Sequence, residues 1–62
     1  MKKREESIPC TIYSNDSGTE EIREIKGISI MNRRRRPNGE WGPWINIGPS
    51  LAKEIIVLWK ES

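Results

Sequence analysis

Apolar and polar residues alternate through much of the chain, which is the period of a β-strand. In ISIMNRRRR, residues 28–36, Ile28 and Ile30 fall on one face of an extended chain and the residues between them on the other. In WINI, residues 44–47, the two isoleucines share a face and Trp44 lies on the opposite one. Both segments are therefore predicted to be strands with one face turned toward a core.

Two earlier segments are also predicted to be strands. Residues 8–14 (IPCTIYS) are rich in β-branched and aromatic residues, although Pro9 restricts them to an edge or to a strand's first residues. In residues 20–26 (EEIREIK), Ile22 and Ile25 lie three apart, a spacing that also suits a short helix. A helix of this length is marginal, so the strand is the favoured interpretation.

Turn-forming residues separate these strands. NDSGT, residues 15–19, is predicted to reverse the chain, and Asn38-Gly39 suits the positive φ angles of a tight hairpin turn. A turn there makes RRRR and WGPW neighbours on adjacent strands. Gly42-Pro43 is expected to kink the second of these strands near Trp41.

The period changes after Gly48-Pro49. Ser50 is a plausible N-cap, and residues 51–61 (LAKEIIVLWKE) repeat their apolar positions as a helix does. The apolar arc is wider than one small sheet is expected to cover, which predicts that the helix also packs on a partner's helix. The predicted dimer contacts are Leu51, Ile55, Ile56, Leu58 and Trp59.

Length favours self-association as well. A chain of 62 residues buries only about 60% of its unfolded surface, and disulfides or metals often compensate. Here Cys10 is the single cysteine, expected to be a small buried apolar residue, and histidine is absent. We expect one α+β domain at residues 8–62, in which four strands are followed by a helix (ββββα) and the chain dimerises through that helix. A flexible charged arm at residues 1–7 is expected to precede the domain. The protein is expected to be intracellular and cytoplasmic.

Charge is unevenly distributed, which indicates a polyanionic partner. The net charge is +2, yet residues 22–39 contain six cations and one acid. Arg33–Arg36 are four adjacent cations, and Trp41 and Trp44 follow across the predicted turn. Proteins that bind single-stranded nucleic acids combine cations, which contact phosphates, with aromatic rings, on which bases stack.

Catalysis is not indicated by the sequence. It shows no histidine, no nucleophile with a plausible neighbouring base, no phosphate-binding glycine loop and no metal-ligand spacing. Glu20 and Glu21 are expected to point to opposite faces of a strand as solvated surface carboxylates. We therefore expect a non-enzyme without metal, cofactor, small-molecule substrate or membrane contact.

Part of the chain resembles a known family. The run IREIKG, then ISIMNRR, then NGEWGPWINI and a helix resembles the DNA-binding domain of the positive cofactor four transcriptional coactivators and their small prokaryotic and viral relatives. The match covers residues 20–60. The resemblance implies a homodimer whose C-terminal helices pack together while curved sheets present basic and aromatic residues to single-stranded DNA, with no catalytic residue.

The sequence thus predicts a largely sequence-independent binding protein for single-stranded nucleic acid, an accessory factor of transcription, replication or repair. The expected phosphate and stacking residues are Arg23, Lys26, Arg33, Arg34, Arg35, Arg36, Trp41 and Trp44. Two alternatives remain open: a module whose basic hairpin docks an acidic protein, and a β-ribbon regulator that binds duplex DNA.

Overall fold

A computed structural model describes residues 1–7 and 9–61, which form an antiparallel sheet followed by one helix. The five strands lie side by side in chain order. The elements are β1 (Lys2–Ser7), β2 (Cys10–Ser14), β3 (Glu20–Ile25), β4 (Ser29–Arg34), β5 (Ile45–Asn46) and α1 (Pro49–Glu61). The predicted α+β fold, with four antiparallel strands before a C-terminal helix, is confirmed, and a fifth strand is added at the N-terminal edge.

The added strand is β1, and it differs from the expectation of a flexible arm. It pairs antiparallel with β2, from Lys2 opposite Ser14 to Ser7 opposite Cys10, with an irregularity between Glu5 and Ser7. All six residues of β1 are exposed. Its pairing rests on backbone hydrogen bonds, which need no apolar side chains, so the charged composition gave no signal for it.

Two hairpin turns fix how β3, β4 and the following chain align. Residues 26–28 form the first turn, in which Gly27 has a φ of 78° and the Ile28 amide donates to the Ile25 carbonyl at 2.9 Å. The favoured strand at residues 20–26 is confirmed, ending at Ile25. In the second turn Gly39 has a φ of 91° and its amide donates to the Arg36 carbonyl at 2.8 Å, which confirms the predicted turn. The positive φ expected of Asn38 was wrong, since only the glycine adopts one there.

The helix begins earlier than predicted. It starts at Pro49, and the Ala52 amide donates to the Gly48 carbonyl at 3.1 Å. Ser50 therefore lies within the first turn, and its prediction as the N-cap was wrong. Proline suits the first helical position because its φ angle is already helical. The backbone N–H that proline lacks would have no hydrogen-bond partner within the helix at that position.

The sheet has two different faces. On the covered face, Ile22 is completely buried and packs with Ala52 and Trp59 of α1. Tyr13 and Ile30 pack against the same cluster from β2 and β4. The opposite face, here called the open face, carries the side chains of the alternate residues in each strand.

The predicted dimer contacts differ in exposure. Leu51 and Leu58 are 47% and 63% exposed, whereas Trp59 is buried in the chain's own core. Ile55 and Ile56 are half-buried against that core. The helix thus leaves one flank of its apolar arc uncovered within a single chain.

Candidate nucleic-acid interface

The strand register brings arginines and tryptophans together on the open face. Arg23 of β3 lies opposite Met31 of β4, and Met31 lies opposite Asn46 of β5. Arg33 and Trp44 are each two residues from these positions, so they point to the same face. Arg35 joins them through an isolated bridge to Trp41.

Five of these side chains form what we call the arginine–tryptophan ladder: Arg35, Trp41, Arg33, Trp44 and Arg23. The guanidinium carbon of Arg33 is 4.4 Å from the ring centroid of Trp41 and 4.5 Å from that of Trp44. Arg35 lies 4.6 Å from the Trp41 centroid, and Arg23 lies 4.4 Å from the Trp44 centroid. These distances are within the range of cation–π attraction, which therefore offsets part of the repulsion among the three cations.

The backbone between the two tryptophans explains how both rings reach the ladder. The chain leaves the sheet after Trp41 and returns at Ile45, in agreement with the predicted kink at Gly42-Pro43. The Gly42 amide donates to the Arg34 carbonyl at 2.8 Å, and an added Cβ at Gly42 would meet that oxygen at 3.2 Å. Glycine permits this close approach, which holds both tryptophans beside β4.

Glu21 binds one arginine of the ladder, Arg33, and also contacts Arg4 of β1. Its carboxylate accepts a 2.8 Å hydrogen bond from Nε of Arg33 and lies 3.2 Å from Nη1 of Arg4. Burial raises the pKa of Glu21, but hydrogen bonds and charge from Arg33 and Arg4 outweigh burial and hold the pKa below its ordinary value. Glu21 is only 5% exposed, so the expectation of a solvated carboxylate was wrong. The predicted opposite orientation of Glu20 and Glu21 is confirmed by their separate partners on Arg34 and Arg33.

Arg23 occupies the most enclosed end of the ladder. One of its terminal nitrogens lies 3.2 Å from the sulfur of Met31. Its Nε is buried and has no hydrogen-bond partner within the described part of the chain. The guanidinium is thus positioned mainly by the indole of Trp44 and by packing rather than by a full set of hydrogen bonds.

Three predicted cations do not join the ladder. Arg34 points to the covered face, where its Nε lies 3.4 Å from a Glu20 oxygen and its side chain is 76% exposed. Arg36 lies at the exposed base of the hairpin turn, and Lys26 lies in the turn at the other end of β3. The alternation of faces along β4 separates Arg34 from Arg33 and Arg35.

Arg4 belongs to the open face although the sequence did not single it out. It lies opposite Ile12 in the β1–β2 register and reaches Glu21 across β2. The signal available was weak, since Arg4 stands in a charged segment with no apolar period. Only the pairing of β1 with β2 brings it to the site.

The site provides cations and aromatic rings at short distances from one another. Within residues 1–7 and 9–61, no cluster of three or more histidine, cysteine or acidic side chains could hold a metal ion. In the same part of the chain, no helix has the length and apolar character needed to cross a membrane. The arrangement is suited to binding an anion with several spaced charges.

Comparisons with protein-family models, with curated proteins and with solved structures found no match to this chain.

Proposed function

We propose that the open face binds single-stranded nucleic acid without catalysis and largely independently of sequence. The observation that supports this most strongly is the arginine–tryptophan ladder, in which three guanidiniums are held at fixed positions on one surface. A guanidinium lying against a ring uses its planar face, which leaves in-plane N–H donors for phosphate oxygens. Because the arginines are already ordered, binding loses less side-chain entropy than it would with free arginines.

The shape of the surface favours a single strand over a duplex. Five strands spaced by about 4.8 Å make a sheet about 19 Å wide, whereas the major groove of DNA is about 12 Å wide. The ladder lies on the face of β3, β4 and the segment before β5, with β1 and β2 beside it, so it cannot enter a groove as an isolated two-stranded ribbon would. A flexible single strand can follow such a face.

We also propose that the functional unit is a homodimer formed through α1. Leu51 and Leu58 lie seven residues apart, on one stripe of the helix, and both are exposed. Ile45 of β5 is 60% exposed, and the single chain buries few apolar side chains. Since α1 lies on the covered face, pairing of two helices leaves both ladders accessible.

Sedimentation equilibrium tests the dimer. The unmodified chain should dimerise, and Leu58→Gln should weaken association by about tenfold or more by placing an amide in an apolar contact. Lys60→Gln is the matched control, because Lys60 is exposed on the polar side of the helix. A chain that remains monomeric at millimolar concentration would contradict this part of the proposal.

Fluorescence anisotropy tests nucleic-acid binding. A labelled 20-nucleotide single strand and its duplex should be titrated at several salt concentrations, with the single strand binding more tightly. If three ladder arginines neutralise three phosphates, the slope of log K against log salt should be about −2.

A pair of variants locates the contact. Arg35→Gln should make that slope shallower by about 0.7, whereas Arg34→Gln, on the other face of the same strand, should leave it unchanged. Tighter binding of the duplex would favour the β-ribbon regulator instead. Absence of binding to either nucleic acid at low salt would reject the proposal.

One observation favours a second candidate, an acidic protein segment. The ladder already holds a carboxylate, because Arg33 and Arg4 both bind Glu21. A glutamate-rich peptide that displaced the single strand and bound at least as tightly at equal charge would support this alternative.

A further inference from the structure

The two tryptophans of the ladder do not present free rings. Each ring centroid has two guanidinium carbons within 4.6 Å, Arg33 and Arg35 for Trp41, and Arg23 and Arg33 for Trp44. Two cations that close to one ring repel each other least when the ring lies between them. In that arrangement, the two guanidiniums would cover the ring surfaces on which a base has to stack.

A base could reach these rings only by displacing an arginine. For Arg33 this would separate its guanidinium from two rings and also from the buried carboxylate of Glu21, which would leave Arg4 to neutralise that charge. The base would replace a charge-assisted contact by a neutral one, and the displaced cation would lose its ordered position. Base stacking at the ladder is therefore opposed by the interactions that build it.

Phosphate binding can leave these contacts in place. Nε and Nη2 of Arg33 already contact Glu21, so a phosphate would bind at the N–H groups that remain on Arg33 and at Arg35, which is exposed. Arg33 and Arg35 are two residues apart on one strand face, which separates their backbone positions by about 7 Å and allows each to contact a different phosphate. The rings then act as spacers between cations.

We propose that the ladder recognises the sugar–phosphate backbone alone, with the bases pointing away from Trp41 and Trp44. This inference rests on the proposed binding of single-stranded nucleic acid and specifies which part of the strand the site recognises. It departs from the stacking role that the sequence predicted for both tryptophans. Discrimination among bases by this site should accordingly be absent.

A strand without bases provides the test. The unmodified protein should be titrated with a labelled 20-nucleotide thymidine strand and with a strand of 20 abasic tetrahydrofuran phosphate units, at the same salt concentration. Both carry the same backbone charge, so the two dissociation constants should agree within about threefold. Stacking of even one base contributes roughly 5- to 150-fold in affinity, so abasic binding weaker by about fivefold or more would overturn the inference.

The same titrations separate the two proposals. If the thymidine strand binds and the abasic strand does not, nucleic-acid binding stands and backbone-only recognition is rejected. If neither strand binds, both proposals are rejected. Indole fluorescence adds an independent measurement, because a base stacked on Trp41 or Trp44 would quench it more strongly with the thymidine strand, whereas backbone contacts should give equal changes with both strands.

Discussion

The two faces of the sheet are built from the same strands but are stabilised by different interactions. On the covered face, Ile22 is completely buried beneath Ala52 and Trp59. On the open face, Ile12 is buried, and its cross-strand neighbours are the arginines Arg4 and Arg23. Burial of apolar surface holds the first face together, while cation–π contacts and a buried ion pair order the second.

This difference separates stability from the proposed binding within one small domain. An anion does not interact with packed apolar side chains. The guanidiniums of the open face, in contrast, retain N–H groups that can donate hydrogen bonds to an anion. A domain of this size therefore keeps its small core on one side of the sheet and its charged surface on the other. Substitutions on the two faces should have distinct consequences.

The largest effect on folding is expected from the covered face. Trp59→Ala should lower the free energy of unfolding by about 3–5 kcal/mol, because it leaves a cavity beside Ile22 and Ala52. Urea denaturation followed by circular dichroism measures the loss. Lys60→Ala, at the exposed neighbouring position, is the control and should change stability by less than about 0.5 kcal/mol. A loss at Trp59 no larger than that of the control would refute the assigned core.

A smaller effect on folding is expected from the ladder. Arg33→Gln should lower the free energy of unfolding by about 1–3 kcal/mol, since Glu21 stays buried with Arg4 as its remaining cation. Arg34→Gln, one residue along the same strand, removes only a surface pair with Glu20 and should be nearly neutral. Equal losses for the two variants, measured in urea, would contradict the difference between the faces.

Acidity should weaken the open face selectively. The folded pKa of Glu21 is lowered, so its stabilisation is present above the ordinary value of 4.5 and is lost as the pH falls through the folded pKa. Glu21→Gln should therefore destabilise the chain by about 1–2 kcal/mol at pH 7 and by much less near pH 3. Urea midpoints of both proteins at each pH provide the comparison, and a difference independent of pH would exclude this role of the carboxylate.

The smallest effect is expected at the hairpin turn that brings Trp41 back to Arg35. Gly39→Ala should cost about 1 kcal/mol, because a φ of 91° strains any residue with a Cβ. Glu40→Ala is the control, since Glu40 is the exposed neighbouring residue and has no positive φ. Thermal denaturation should distinguish the two variants, and equal melting temperatures would argue against strain at the turn.

Much of the fold could be predicted because it depends on local patterns. Alternation in residues 28–36 correctly placed Arg33 and Arg35 on the face opposite Ile30, and Asn38-Gly39 identified the turn that returns the chain to β4. The change to a helical period located α1 to within two residues of its first position. These features require only the periods of strands and helices and the φ preferences of glycine.

The features that the sequence did not predict depend on the pairing between strands. Glu21 is buried because the turn at residues 26–28 aligns it with Arg33. A shift of one residue would have placed it opposite Asn32 or Arg34, whose side chains point to the other face. The pairing of β1 has no side-chain signal at all. The contacts of Trp41 and Trp44 with the arginines follow from both registers together, so composition alone could not predict which arginine lies against which ring.

The measurement that tests the central claim most directly is an NMR titration of the indole N–H signals with a 20-nucleotide single strand. The chain has three tryptophans, two on the open face and Trp59 on the covered face as an internal control. The signals of Trp41 and Trp44 should shift progressively during the titration while that of Trp59 stays in place. A shift of Trp59 alone, or no shift of any indole at saturating strand, would contradict binding at the open face.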